Sequence, residues 1–569
     1  MTRPDKTSFI KERVDSMTLE QKVGQCLVLG FVGPLLTPEI LHRIHRYYPS
    51  GVRASMYWRT RDPRHDPGCT PPEFFDRVFR TPVGTSKDFL TDMPVTHCTA
   101  AEYCGTLNAM KRAALENGLG LPLHITFDHE GDQSADFYHG GLHQTPNAMG
   151  LVGTKDPKVV YDVHKAVGDQ YRPVGFGWTH SLVLDVNTNP MNPEISVRAF
   201  GTNPDDVIEY AMQAYRGWRD AGIISTGKHF PGRGESVSDA HSGLPYIQLS
   251  RDELEPHLEP YRALIAEGLP AIMTAHTAYP KIEPEDVPAT MSKRILTGIL
   301  KDELGFEGCI TTDAMAMGGI VSRFEMPDAC IRALDAGADL LLIRDEGGII
   351  HDIVPALVRA VEEGELPIER IEDANRRTLG VKYDYGFFDE PSPVGVLDEN
   401  KADEGINDPH VIEVITDASN RVVEVIRDEQ NLLPIKKETN VLLVEQVNPL
   451  HAHVNTMQCH PSLLWTKMLQ HSDNVAQVEC DLTFTEEDRT RIKARWDEAD
   501  IVVTTNYYGR RHLAGNEFVK EMHTWGKPMV VVTNSPYSFT VDPAYGTVIC
   551  TYGPSIHCLE AAARVMFGE

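Results

Sequence analysis

The sequence predicts an α/β protein: a (β/α)8 barrel of the TIM type followed by a smaller α/β sandwich domain. Three observations carry this. Eight short β-rich apolar runs alternate with segments of helical periodicity. Most of these runs end in a polar, chemically capable side chain. The chain also changes character near residues 383–408, where Pro, Gly and charge dominate. The 569 residues, 41% apolar and 24% charged, have the composition of an ordinary globular protein, and a barrel takes up roughly 250 residues or more.

The runs are QCLVLGF (25–31), GVRASMYWR (51–59), LPLHITFDHE (121–130), GWTHSLVLDV (177–186), GIISTGKHF (222–230), LPAIMTAHTAY (269–279), GCITTDAMAM (308–317) and ADLLLIRDE (338–346). Helical patterns such as DDVIEYAMQAYRGWRDA and SKRILTGILKDEL lie between them. Strands alternating with helices favour parallel pairing, and eight such units favour closure into a barrel. The expected organisation is a barrel over 1–386, a linker over 387–408 and a sandwich domain over 409–569. In the last, a helix from about Pro409 to Asp428 leads into NVLLVEQ, ADIVVTTNYY, KPMVVVTNSPYSF and GTVICTYG, which read as a parallel sheet.

Composition excludes several classes. Fifty-four basic against 82 acidic side chains give a net charge of −28, which repels nucleic acid and anionic lipid. Neither is expected as a partner, and the sequence is compatible with a homodimer. The ten cysteines form no C-x-x-C pair and no zinc-type spacing. The N-terminus lacks the apolar stretch of a secretory signal, and no window approaches the length of a membrane span, so a cytoplasmic protein is expected. The Arg- and Pro-rich stretch 60–94 is long for a loop and reads as a lid, an interface arm or disorder.

The polar residues that end the runs are Asp128, Asp185, Lys228 with His229, His276, Asp313 and Asp345. In a barrel these positions form the C-terminal rim, where active sites are built. The segment KHFPGRGESVSDAHSGLP (228–245) adds Asp239 and His241 on a loop. A carboxylate two residues from a histidine can orient the imidazole for proton transfer. Asp313 with a nearby proton donor is the minimum equipment for retaining glycoside hydrolysis. The same set also suits an aldolase with Lys228 as Schiff-base nucleophile. Spacing alone leaves both open.

KHFPGRG with DAH, MTAHTAYP with PATMS, ILKDELGFEGCITTDAM and ALDAGADLLLI, together with VLDVNTNPMNPEISVRAFG and SNRVVEVIRDEQNLLPI, resemble glycoside hydrolase family 3, specifically its bacterial β-N-acetylglucosaminidase branch. The resemblance covers most of the chain in order. It implies Asp313 as nucleophile, Asp239 and His241 as an acid/base dyad, and Asp128, Arg198, Lys228 and His229 as ligands of a nonreducing-end sugar. A carbohydrate substrate is implied, with no cofactor and no metal. Phosphorolysis, a β-glucosidase activity and a silent sugar-binding protein are the alternatives. The family's arginine a few residues after the first Asp is missing, since Asp128 is followed by HEGDQSAD; Arg59, Arg61 or Arg64 are candidates to replace it. His451 and His453 read as a solvated loop, and NYYGRRH (506–512) as core packing or a ligand-facing surface. Trp58 and Trp178 are candidates to stack on a sugar or to pack in the core.

Overall fold

The computed structural model of the chain describes residues 4–32, 36–55, 99–131, 134–137, 142–343, 348–446, 463–481, 483–508 and 516–569. Its first unit is a closed barrel of eight strands in sequence order: β1 (Leu27–Val32), β2 (Gly51–Ser55), β3 (His124–Phe127), β4 (Trp178–Thr179), β5 (Ile224–Phe230), β6 (Ala271–Thr274), β7 (Cys309–Ala314) and β8 (Leu340–Ile343). Every neighbouring pair is parallel, and β8 closes on β1 through Leu27↔Leu341 and Val28↔Leu342. All eight predicted runs contribute a strand. The fourth does so differently from expectation: only its first residues pair regularly, and the chain pairs again at Val183 with Lys228. Instead of continuing the ladder, Thr179 Oγ1 donates to Ser181 Oγ, His180 Nε2 pairs with Thr126 Oγ1 on β3, and Ser181 Oγ accepts from His129 N just beyond it.

Helices between the strands begin where side chains satisfy their free N–H groups. Thr99 with Glu102 and Ser250 with Glu253 form capping boxes for Ala100–Glu116 and Arg251–Ala266. Asn203 caps Pro204–Asp220 with proline at its first position. The helices pack outside the barrel over Leu107, Val163, Trp218, Tyr261 and Leu334, all buried. Inside lie Trp178, Ile224, Met273 and Leu342, joined by Phe387 and Val394. Trp178 is therefore a core residue: it is 1% exposed and its indole N–H donates to Thr226 Oγ1 at 2.8 Å. Phe387 and Val394 fall in the stretch expected as a linker and lie against Gly177, which precedes β4, so this chain packs on the N-terminal end of the barrel.

The second sheet has six strands in the order β11-β10-β12-β13-β14-β9: β9 (Glu424–Asp428), β10 (Val441–Gln446), β11 (Val475–Cys480), β12 (Ile501–Thr505), β13 (Met529–Thr533) and β14 (Thr547–Cys550). The four predicted strands, β10, β12, β13 and β14, pair parallel as expected, but the whole sheet is mixed, because the unforeseen β9 runs antiparallel to β14. The expected helix 409–428 stops at Val422 and its last residues form β9. The β-branched pair in Glu424-Val425-Ile426 suits an edge strand; Glu424 is exposed, while Arg427 donates to Tyr545 O and Asp428 accepts from Leu432 N. Apolar residues fill both faces, with Leu443 and Val530 on one and Leu442 and Val531 on the other. The two units touch closely: Asn147 donates its backbone and side-chain N–H to Tyr552 O at 3.1 and 2.6 Å, and Asn187 donates to Tyr537 Oη at 2.8 Å.

Candidate active site

The C-terminal ends of the barrel strands bring Asp128, Lys228, His229 and Asp313 together. Asp128 follows β3 and lies between two cations. Lys228 Nζ reaches its Oδ1 at 2.9 Å, and Arg53 Nη2 on β2 reaches its Oδ2 at 2.5 Å. Burial raises the Asp128 carboxyl, but Arg53, Lys228 and His180 override it and hold the group well below the carboxylate range. Lys228 also pairs with Glu130. Lys228 Nζ is thus engaged by two carboxylates, an arrangement that suits binding better than Schiff-base attack.

Arg53 is a residue that sequence reasoning missed. Its guanidinium bonds both oxygens of Asp136 at 2.9 Å as well as Asp128. A cation thus stands beside Asp128 although none follows it in sequence; the available signal was an arginine inside the apolar run of β2. Arg59, Arg61 and Arg64, Trp58, Asp345, His451, His453 and the stretch 60–94 lie outside the described residues.

Arg198 is 2% exposed and holds Glu130: Nε and Nη2 donate to its two oxygens at 2.6 and 3.0 Å, and Nη1 donates to Glu194 O at 2.9 Å. The rest of its segment is tightly built, with Ser196 at φ 45° and Asn192 Oδ1 accepting from the N–H groups of Glu194 and Ile195 at 2.9 Å.

His229 Nδ1 donates to Asp185 Oδ2 at 2.7 Å, which leaves Nε2 3.9 Å from Asp313 Oδ2. Asp185, fully buried, also accepts from Arg233 N at 2.7 Å. Burial pushes the Asp185 carboxyl up to about 6, with Arg233 and Arg198 opposing. It therefore acts on the rim through His229 and Arg233.

Asp313, on β7, accepts from Ala314 N at 2.8 Å. Burial raises it, yet His276, Arg233 and Lys228, with the Ala314 N–H, bring it below its ordinary value, so it stands ionised at neutral pH. His276 is held by Thr290 Oγ1 at 2.8 Å and Ala314 O at 3.1 Å.

Asp239 and His241 lie on the loop after β5. His241 Nδ1 donates to Asp239 Oδ1 at 2.6 Å, and His241 N donates to the same oxygen at 2.8 Å, so one carboxylate fixes both ring and backbone. His241 is the more open of the two, at 23% side-chain exposure against 8%. The loop docks on the residues after Asp313, where Gly319 N donates to Ala240 O at 2.8 Å. Two glycines allow its path. Gly232 adopts φ 117°, and a Cβ on Gly234 would lie 1.7 Å from Val186 O.

Glu194 and Arg233 are two more residues that the sequence did not disclose. Arg233 Nη2 donates to Glu194 Oε1 at 2.7 Å and lies 3.8 Å from Asp313 Oδ2. Glu194, Asp239 and His241 have ligand atoms within 4.8 Å of one another and are the one such group among the described residues. Arg233 already supplies the positive charge beside Glu194, which makes the trio a poor cation site.

A closed (β/α)8 barrel with ionised, hydrogen-bonded side chains gathered at its C-terminal rim has the build of a barrel enzyme. The profile of the "Glycosyl hydrolase family 3 N terminal domain" matches residues 97–381, and the chain belongs to glycosyl hydrolase family 3. It is 31% identical over 395 residues to beta-hexosaminidase A of Pseudoalteromonas piscicida, covering 64% of this chain and 61% of that protein. It is 31% identical over 260 residues to a beta-hexosaminidase of Idiomarina loihiensis, covering 45% of this chain and 74% of the other. The chain thus spans about six-tenths of the length of the Pseudoalteromonas relative. Among solved structures, a glycoside hydrolase family 3 beta-N-acetylglucosaminidase from Paenibacillus sp. str. FPU-7 shares the fold, with TM-score 0.81, 24% identity and 97% of both chains covered. No helix among the described residues is long and apolar enough to cross a membrane.

Proposed function

We propose that the protein is a retaining glycoside hydrolase that removes a nonreducing-end β-linked N-acetylglucosamine or a related β-hexoside. Asp313 attacks the anomeric carbon while His241, oriented by Asp239, protonates the departing oxygen. The glycosyl–Asp313 ester is then attacked by water, which His241 deprotonates. Asp128, Lys228 and His229 offer acceptors and donors for the sugar hydroxyls. Arg198 acts one step back, through Glu130.

The observation that carries this reading is the pairing of an ionised Asp313 on β7 with a hydrogen-bonded Asp239–His241 dyad, whose loop rests on the residues that follow Asp313. The beta-hexosaminidase names of the relatives support the sugar class. The test compares kcat/KM on nitrophenyl β-N-acetylglucosaminide, β-glucosaminide and β-glucoside, with the anomer first formed read by proton NMR. The reading expects the N-acetyl sugar to lead and the β-anomer to appear first. A strong β-glucoside preference would remove the hexosaminidase assignment, and the α-anomer would refute the mechanism.

A second reading, phosphorolysis, is favoured by the acid/base group being an imidazole rather than a carboxylate, which lowers the repulsion an incoming phosphate meets. Rate measured against phosphate concentration decides it. Saturable acceleration with release of a sugar 1-phosphate supports phosphorolysis, and a flat response supports water as acceptor.

A further inference from the structure

We propose that the buried Glu194–Arg233 ion pair is a positioning pair: Arg233 holds Asp313 ionised, and Glu194 moors the His241 loop to it. This rests on the glycosidase reading above and extends it to two residues outside the dyad and the sugar ligands.

The geometry forms one line of charges. His241 Nδ1 lies 3.6 Å from Glu194 Oε1, which lies 2.7 Å from Arg233 Nη2, which in turn lies 3.8 Å from Asp313 Oδ2. Glu194 Oε2 accepts from Ala240 N at 3.3 Å, so this carboxylate reaches both the loop of His241 and the arginine beside the nucleophile. Both members of the pair are 1% exposed. An ion pair so deep is costly to desolvate, and its own attraction is weak evidence of a stabilising role. Its backbone anchors are also fixed. Asn192 Nδ2 donates to Arg233 O and Gly234 O at 2.9 Å, while Asn192 Oδ1 accepts from Glu194 N at 2.9 Å. A single side-chain amide therefore ties together the two segments that carry the pair.

Charge accounting gives the pair its purpose. Bond formation to the sugar turns the Asp313 carboxylate into a neutral ester, and His241 loses a proton to the leaving oxygen in the same step. One negative and one positive charge thus disappear together at the two ends of the line, while Glu194 and Arg233 stay charged throughout. Other cationic or titratable groups that act on Asp313 include Arg53 on β2, His180 after β4, Lys228 and His229 on β5, and His276 after β6. Lys228 and Arg53 are committed to Asp128, His180 is pushed down to about 3 by burial, and burial lowers His276 too. Arg233 is the permanent cation nearest Asp313.

The test uses the full chain with Arg233→Met, Arg233→Lys and Glu194→Gln. The pH profile of kcat/KM is recorded on an aryl glycoside with a good leaving group and an alkyl glycoside with a poor one. Arg233→Met should move the acid limb up by about one pH unit, about a tenfold rate loss at pH values well below the limb, and Arg233→Lys should reverse most of that shift. Glu194→Gln should leave the limb in place or lower it, because it frees the arginine's charge. It should also slow the alkyl glycoside about tenfold more than the aryl one, as expected when only proton donation is disturbed. An unmoved limb in Arg233→Met, or equal losses on both glycosides in Glu194→Gln, overturns the proposal. If Arg233→Met does not fold, Glu194→Gln decides, by a larger loss on the alkyl than on the aryl glycoside. Failure of the glycosidase reading would show separately, as wild type without turnover on any β-hexoside.

Discussion

Substituting Gly318 by alanine should injure proton donation and little else. This glycine follows β7 and passes under the loop that carries the dyad. A Cβ there would lie 2.5 Å from His241 O and 3.0 Å from Gly243 N, the first about 0.9 Å inside the 3.4 Å at which ordinary contact begins. Neither neighbour is a flexible side-chain tip; both are backbone of the residues that present the imidazole. The loop must therefore move by most of that overlap, while Asp313 on β7 keeps its hydrogen bond to Ala314 N. Misplacing a catalytic group by about 1 Å costs on the order of a hundredfold. The loss should fall on substrates that need protonation at the leaving oxygen. Glycosides whose leaving groups span a range of acidities supply the assay. Gly318→Ala should lose roughly 10- to 100-fold in kcat/KM on alkyl glycosides and only about 2- to 3-fold on nitrophenyl glycosides. The melting temperature should stay within a few degrees. Equal loss on both classes, or none on either, would refute the idea that this contact positions His241.

Other outcomes follow from the same structure. Asp313→Ala should abolish turnover and leave the circular dichroism spectrum unchanged. His241→Ala should spare nitrophenyl glycosides far more than alkyl ones, and equal loss would count against its acid role. Asp185, whose native pKa is pushed up to about 6, binds its proton more tightly when folded than when unfolded. Its contribution to stability is thus present at low pH and lost as pH rises from about 4 through 6. Wild type should lose up to about 3 kcal/mol relative to Asp185→Asn across that window in urea unfolding. Tyr508→Phe removes the hydroxyl that donates to Pro193 O from the second unit and should cost about 1 kcal/mol of stability. If that contact steadies Glu194, its neighbour, kcat/KM falls as well.

The barrel was legible because its signal is local. Each β-rich run contains its own strand, so Asp128, Lys228, His229 and Asp313, near the ends of the third, fifth and seventh runs, could be placed together from order alone. The Asp239–His241 pair was legible for the same reason, the two being neighbours in the chain. Arg53, Glu130, Glu194 and Arg233 were not, since each acquires its meaning from a partner far along the chain: Arg53 with Asp128, Arg233 with Glu194. An arginine inside an apolar run hints at a buried partner without naming it, and a glutamate in an irregular loop carries no signal by itself. Strands β9 and β11 were missed because their partly exposed, mixed sequences, EVIRD and VAQVEC, lack the dense apolar character of β10, β12 and β13. Trp178 was ambiguous in sequence because alternation along a strand separates only the inner from the outer face and does not say whether an inner residue packs in the core or reaches the rim.

The central claim is that the Asp313 carboxylate becomes bonded to the sugar, and trapping that bond tests it most directly. The protein is treated with a 2-fluoro glycoside bearing a good leaving group, and the mass gain is measured on the intact chain and then mapped to a peptide. A single added glycosyl group on the peptide containing Asp313, absent from Asp313→Ala, is the predicted result. A stable adduct on any other residue would contradict it.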